Sequence, residues 1–326
     1  MQCTPFTLEK LSENRFTRPI KRLIVRSIAA KNGPRTILNQ YYGLLGDEAK
    51  SRFHARYSKI FRGQGALLAS GDWGIRFIDQ KIRIPLRPSW SWLDWDYALS
   101  IIGHEIEIKQ TYAALITSDQ RPELFLDVGA NYGTHSILFL SVGVPVIAFE
   151  PNPSCFSQFQ TVCELNGFTG RWEQVAIGDK VGEIELVYPE KETWLGSVSS
   201  DVVSTLKKSD GMIIKQVPLK KLDDYLSDAR GDKVLIKIDV EGFECEVIEG
   251  ASHLLRECKP KVIFESNSAK SRPALLRLLA DRGYSVHPLP WGPSIASRVL
   301  GVDEFLTSSS SNFIAIPRSA QHQALR

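Results

Sequence analysis

E-L-F-L-D-V-G-A-N-Y-G, running from Glu123 to Gly133, is the stretch from which the fold can be read. Leu124 to Val128 is an apolar run broken only by Asp127, with Pro122 before it and glycines after it. Such a run reads as a buried parallel strand. Gly129, Ala130, Asn131, Tyr132 and Gly133 form a loop, and an apolar-periodic segment with Ile137, Leu138 and Phe139 follows. The order is strand, glycine loop, helix. Small residues let the backbone approach a ligand, and a helix N-terminus offers free N–H groups and partial positive charge.

The spacing of the loop discriminates between ligands. A dinucleotide-binding loop needs G-x-G-x-x-G. Here the glycines fall as G-x-x-x-G after an acid at the strand end. An aspartate there repels a pyrophosphate and suits an amino group. S-adenosylmethionine carries an ammonium, a sulfonium and a carboxylate, and no phosphate. The loop therefore favours a methyl-donor site, against the plainer alternative of a tight turn with helix-packing glycines.

Further strands follow. Val144 to Glu150 ends in a carboxylate 21 residues after Gly129. In doubly wound sheets an acid about 20 residues past the loop takes the ribose hydroxyls. Glu150 is assigned that role, since an ionised carboxylate has the lone pairs to accept from a vicinal diol. Arg171 to Ile177 reads as the next strand, followed by Gly178 and Asp179. Asp179 either accepts from an adenine amino group or serves the turn. Glu183 to Tyr188 and Met212 to Leu219 read as strands, and Lys220 to Arg230 as a short helix. Lys233 to Asp239 and Lys261 to Glu265 continue the sheet, with Tyr284 to Leu289 and Asn312 to Pro317 at its end. Ligands of open sheets bind beyond the carboxyl ends of the strands, so Asp127, Glu150 and Asp239 are expected to converge. Lys237, on the same strand face as Asp239, is read as ion-paired scaffolding.

Upstream, residues 1–70 are expected to be a basic, mostly helical extension, and residues 71–118 a β-hairpin and a helix preceding the core. The hairpin signal is Trp73, Ile75 and Phe77, then Ile82, Ile84 and Leu86, about a Gln80–Lys81 turn. Trp90, Trp92 and Trp95 shape an acceptor pocket or fill a core. Gly103 to Ile116 reads as a helix. A core domain is expected over residues 119–317, and a tail over 318–326.

Composition is ordinary for a globular protein. Five cysteines with no C-x-x-C argue against a disulfide framework and a cysteine zinc site, and a reducing, cytoplasmic setting is expected. No apolar run is long enough for a transmembrane helix, and the first residues lack a signal-peptide core. Residues 1–120 hold 18 Lys/Arg against 11 Asp/Glu, and the remainder 22 against 26. The basic front suits an anionic substrate, nucleic acid or membrane, or is a solvated face. Ile20, Leu23, Ile24, Ser27 and Ile28 share a helix face, with Lys21, Arg22 and Arg26 off it. Packing on the catalytic domain is the preferred reading of that face, and peripheral membrane contact the alternative.

L-F-L-D-V-G-A-N-Y-G-T-H-S, A-F-E-P-N-P, V-A-I-G-D, V-P-L-K-K-L-D-D-Y-L, I-K-I-D-V-E-G-F-E-C-E-V-I-E-G-A and N-F-I-A-I-P resemble, in order, the motifs of the FkbM family of class I methyltransferases. The I-K-I-D-V-E-G-F-E block is the most specific. The likeness covers about residues 100–317, the size of one domain. It implies an α/β fold with a Rossmann-like doubly wound sheet of seven strands, the last hairpin antiparallel, behind the mixed helical and β extension. It also implies S-adenosylmethionine as donor and O-methylation of a sugar, glycan or polyketide-like hydroxyl. Asp127, Gly129, Ala130 and Gly133 would hold the methionine portion, Glu150 the ribose, and Asp179 would lie near the adenine, with Asn131 and Asn152 as further cofactor-binding residues. Trp194 and Ser197, in the polar 189–211 loop, and Glu241 and Glu265 are assigned to the acceptor.

Three routes to the acceptor proton are open. Asp239 ranks first as base, if burial raises its basicity. His135, on the first turn after the loop, ranks second, with donor-carboxylate binding as its other reading. A divalent cation held by Asp239 with Glu241 or Glu265 ranks third; no ligand spacing demands one. The rivals are a non-catalytic donor-binding module, a nicotinamide oxidoreductase and an N-methyltransferase. No nucleic-acid partner is expected, because D-V-E-G stands where an N-P-P-Y-like tetrapeptide would.

Overall fold

The computed structural model describes residues 17–87, 93–190, 196–199, 203, 211–229, 231, 233–267 and 269–318. The chain divides into two compact units, residues 1–106 and 107–326.

The first unit holds three helices, α1 (Arg18–Ala29), α2 (Asn32–Leu44) and α3 (Asp47–Tyr57), a hairpin β1 (Gly71–Phe77) and β2 (Gln80–Leu86), and α4 (Leu93–Gly103). Pro19 opens α1, where its missing N–H costs nothing. Asp47 and Glu48 sit in the first turn of α3, which their charge favours. Trp73, Ile75 and Phe77 of β1 and Ile82, Ile84 and Leu86 of β2 point inward. The hairpin turn is Ile78–Asp79 rather than Gln80–Lys81, because Phe77 pairs with Gln80 and Ile78 takes a left-handed φ of 54°. Trp95 is core: its ring lies 5.1 Å from Trp73, and its N–H donates to the Tyr57 carbonyl at 2.7 Å. Trp90 and Trp92 lie outside the described residues.

The second unit opens with α5 (Ile106–Ile116). It continues as β3 (Leu124–Val128), α6 (Ser136–Ser141), β4 (Val146–Phe149), α7 (Pro153–Asn166), β5 (Arg171–Glu173), β6 (Ala176–Ile177), β7 (Gly182–Pro189), β8 (Met212–Lys220), β9 (Val234–Ile238), β10 (Lys261–Glu265), β11 (Tyr284–Pro288) and β12 (Asn312–Pro317). Seven of these strands form one sheet in the order β11-β12-β10-β9-β3-β4-β5. β3, β4, β5, β9 and β10 run parallel, and β12 inserts antiparallel between β10 and β11. Every residue of β3 and β9 is buried, as continuous apolar runs require. From β3 the chain moves outward through β4 and β5, then returns to the other side of β3 with β9. The direction of winding therefore reverses between β3 and β9, and such a switch point opens a crevice at the strand ends.

Two expectations fail here. Arg171 to Ile177 is not one strand: β5 closes the edge of the main sheet, while β6 pairs with β8 in a separate sheet of order β6-β8-β7. The segment after β8 is a single 3-10 turn, Leu222–Tyr225, in place of a longer helix. The four described cysteines, Cys155, Cys163, Cys245 and Cys258, are free thiols. No helix among the described residues is long and apolar enough to cross a membrane.

Candidate active site

β3 and β4 run side by side, with Asp127 level with Ala148 and one step short of the strand end. On the other flank Asp127 is level with Lys237 of β9. Asp127 is fully buried; its Oδ2 accepts from the Ser136 hydroxyl at 2.6 Å, and its Oδ1 has no hydrogen-bond partner among the described residues. Burial pushes its pKa up, opposed by the Lys237 charge and the Ser136 hydrogen bond. Lys237 is also buried, and its ammonium donates to Asp239 Oδ2 at 2.8 Å. One desolvated cation thus serves two carboxylates, the arrangement a buried lysine requires.

The loop after β3 turns on residues with left-handed φ, 77° at Gly129 and 52° at Asn131. The Gly129 and Ala130 N–H groups both donate to the Phe149 carbonyl at 3.0 Å. A Cβ at Gly129 would lie 1.7 Å from the Asp239 carbonyl oxygen. Only glycine fits between the ends of β3 and β9. Asn131, a residue that tolerates this conformation, directs its N–H onto Glu150 Oε2 at 2.9 Å. At the far end of the loop, a Cβ on Gly133 would meet the Phe159 ring at 2.0 Å.

Glu150 follows β4 and is nine-tenths buried. Its Oε1 accepts from the Asn152 N–H at 2.8 Å, so each oxygen is braced by one backbone donor. Burial pushes its pKa up to about 7, although both hydrogen bonds favour the ionised form. Each oxygen keeps one lone pair for a further donor. The Asn152 side chain is engaged elsewhere, accepting from the Ser154 N–H at 3.0 Å as the N-cap of α7.

Several of these groups line a small cleft that is open on one side. Gly129, Asn131, Glu150, Asp239 and Glu241 all line it. Val175, Ala176 and Ile177 form an apolar wall. Ser197 lines the cleft as well; its hydroxyl donates to the Glu241 carbonyl at 3.0 Å and ties the polar loop to the end of β9. Asp239, Glu241 and Glu265 bring carboxylate oxygens within 4.8 Å of one another.

The remaining expected residues lie elsewhere. Asp127, Ala130, Gly133 and Asn152 stand behind the lining and build the loop and the helix start. Asp179 is half-buried on the turn after β6 and is absent from the lining. That turn packs on Gly250, where a Cβ would meet the Gly178 oxygen at 1.8 Å. His135 is buried and also absent from the lining: Nδ1 lies 3.0 Å from the Tyr112 hydroxyl and Nε2 3.5 Å from Lys109 Nζ. Trp194 lies outside the described residues. Sequence reasoning missed the Ser136 contact and the apolar wall. Ser136 was open to discovery as a hydroxyl in the first turn after the loop. Val175 gave no signal, since its direction depends on the break between β5 and β6.

Three comparisons bear on this site. The family described as Methyltransferase FkbM domain matches residues 127–286, which include every cleft-lining group named above. "Methyltransferase 1" of Beauveria bassiana is 28% identical over 206 residues, covering 58% of this chain and 82% of that protein. "Hexuronic acid methyltransferase AglP" of Haloferax volcanii is 25% identical over 169 residues, covering 51% of this chain and 65% of its own length. Among solved structures, a methyltransferase FkbM from Methylobacillus flagellatus KT is 15% identical with a TM-score of 0.40, covering 68% of this chain and 54% of that one. Glycine loop and strand-end carboxylates lie in the segment that the family match spans: residues 127–286 of this chain match the FkbM methyltransferase domain.

Proposed function

We propose that this chain transfers the methyl group of S-adenosylmethionine to a hydroxyl of a sugar, glycan or polyketide-like small molecule. The observation that carries the reading is Glu150, a buried carboxylate in the cleft lining braced by the backbone amides of Asn131 and Asn152. The residues fit a cationic nucleoside: the Gly129 position would be filled by any Cβ, and Asp127 sets an orphaned carboxylate oxygen beneath the loop. Gly129 and Asn131 would hold the methionine portion, on a loop that Asp127, Ala130 and Gly133 shape from behind, and Glu150 the ribose. The relative named for hexuronic acid supports a sugar-type acceptor.

Bound S-adenosylmethionine supplies a methyl group on a sulfonium, a leaving group already activated. The protein must align the acceptor oxygen and remove its proton. Alignment can contribute roughly 7–11 kcal/mol. Asp239 is the proton acceptor in this reading. Lys237 fixes Oδ2 and hence the orientation of the carboxylate in the cleft. A positioned base adds about 10²- to 10⁴-fold.

Glu150 yields a signed prediction. A ribose diol donates to the ionised carboxylate, and the proton leaves at about pH 7. Donor affinity rises roughly tenfold per pH unit below that value and levels above it. Without donor the sign for stability is opposite. The folded state holds this proton more tightly than the unfolded chain, whose value is the ordinary 4.5, so stability falls between pH 4.5 and about 7. Glu150→Ala weakens donor binding by about tenfold to 100-fold and removes the pH dependence. Calorimetric titration at several pH values checks this; unchanged affinity in the variant would refute the ribose role.

A second reading has its own observation. The 4.8 Å cluster of Asp239, Glu241 and Glu265 suits a divalent cation that lowers the pKa of the acceptor hydroxyl. With Asp239 as base, turnover persists after exhaustive chelation. Loss on chelation and recovery with magnesium would make Asp239 a ligand instead.

A further inference from the structure

Twelve large hydrophobic side chains are exposed among the described residues, and half of them come from α1 and α2. On α1 they are Ile20, Leu23 and Ile24, 60%, 63% and 52% exposed. On α2 they are Ile37, Tyr41 and Leu44, 69%, 44% and 85% exposed. The spacings, i, i+3, i+4 and i, i+4, i+7, gather each set on one helix face. These helices also have an extreme charge pattern. Residues 17–46 contain no Asp or Glu, but they contain Arg18, Lys21, Arg22, Arg26, Lys31 and Arg35. Arg35 is buried and spent on the carbonyls of Ala29, Ala69 and Ser70. Arg18, Arg22 and Lys31 are exposed, and Lys21 and Arg26 are half-buried.

The geometry points to α1 and α2 as a peripheral docking surface for an anionic lipid bilayer. Exposed aliphatic side chains gain by entering the boundary between headgroups and acyl chains, and the flanking cations gain from anionic headgroups. Both gains occur on the same two helices, and no carboxylate within them opposes either. The other occupants fit less of the pattern. A second copy would bring cation against cation with no acid in these helices to pair. A nucleic acid would satisfy the arginines but leave six apolar side chains without a role. No described helix can span a bilayer, so the contact is interfacial. This inference is independent of the methyl-transfer reading.

Flotation of the full chain with vesicles tests it. The protein should rise with phosphatidylcholine vesicles that contain phosphatidylserine, stay behind with phosphatidylcholine alone, and detach as salt increases. Arg18→Ala and Arg22→Ala should each weaken partition about fivefold. Leu23→Ser with Ile24→Ser and Leu44→Ser should abolish flotation with an unchanged unfolding midpoint, because those side chains are already exposed. No flotation with phosphatidylserine vesicles overturns the proposal. So does a dimer in light scattering that the triple variant dissolves while vesicles are ignored, which would assign the face to a second copy. Vesicle binding that survives the triple variant overturns the apolar half of the argument.

Discussion

Asp239→Asn is expected to lower turnover about 10²- to 10⁴-fold while leaving donor affinity within a few-fold. The substitution is isosteric. An asparagine oxygen can still accept from Lys237, which now holds Asp239 Oδ2 at 2.8 Å, so the end of β9 keeps its shape. The Asp239 backbone is equally secure, its N–H donating to the Val128 carbonyl at 2.9 Å. What the amide cannot do is take a proton from an acceptor hydroxyl. The decrease should therefore fall on kcat with little change in calorimetric donor affinity, the signature of an interaction made in the transition state. A labelled-donor assay on a glycan or metabolite pool gives the rate. Full turnover in the variant would remove Asp239 from the mechanism.

Gly129→Ala should be more damaging to structure. The new Cβ would stand 1.7 Å from a backbone oxygen and 2.7 Å from the Asp239 carbonyl carbon, at a φ of 77°. Neither neighbour can give way, because β3 and β9 are hydrogen-bonded along their length. We expect a cost of about 4 kcal/mol or more, and no donor binding in whatever remains folded. Gly143→Ala is the control. Its φ is 75°, but nothing lies within 4 Å of the added Cβ, so only the conformational cost of about 1–2 kcal/mol applies. Urea unfolding of the two variants separates close approach from backbone preference. Equal losses would mean that the contact with Asp239 does not matter.

The two halves of the site differed in legibility. β3, β4, β9 and β10 were readable because each is an apolar run bounded by turn residues, and the structure buries nearly all of them. Glu150 and Asp239 were readable because strand ends at a winding reversal face the crevice. The β1–β2 turn was misread because Ile78, β-branched and apolar, occupies a left-handed φ that its type disfavours. The split of Arg171–Ile177 was hidden because the β6 partner, β8, lies some forty residues later. His135 shows a further limit. Its position after the glycine loop suggested the cleft, but its ring is held by Tyr112, 23 residues upstream, a contact that no local pattern encodes.

The most direct measurement is a crystal structure of the full chain with S-adenosylhomocysteine. The ribose hydroxyls should lie within hydrogen-bond distance of both Glu150 oxygens, with the homocysteine end over the 129–133 loop and the sulfur facing Asp239. A nucleoside bound elsewhere, or a Glu150 carboxylate that still touches only the Asn131 and Asn152 amides when the ligand is present, would contradict the account.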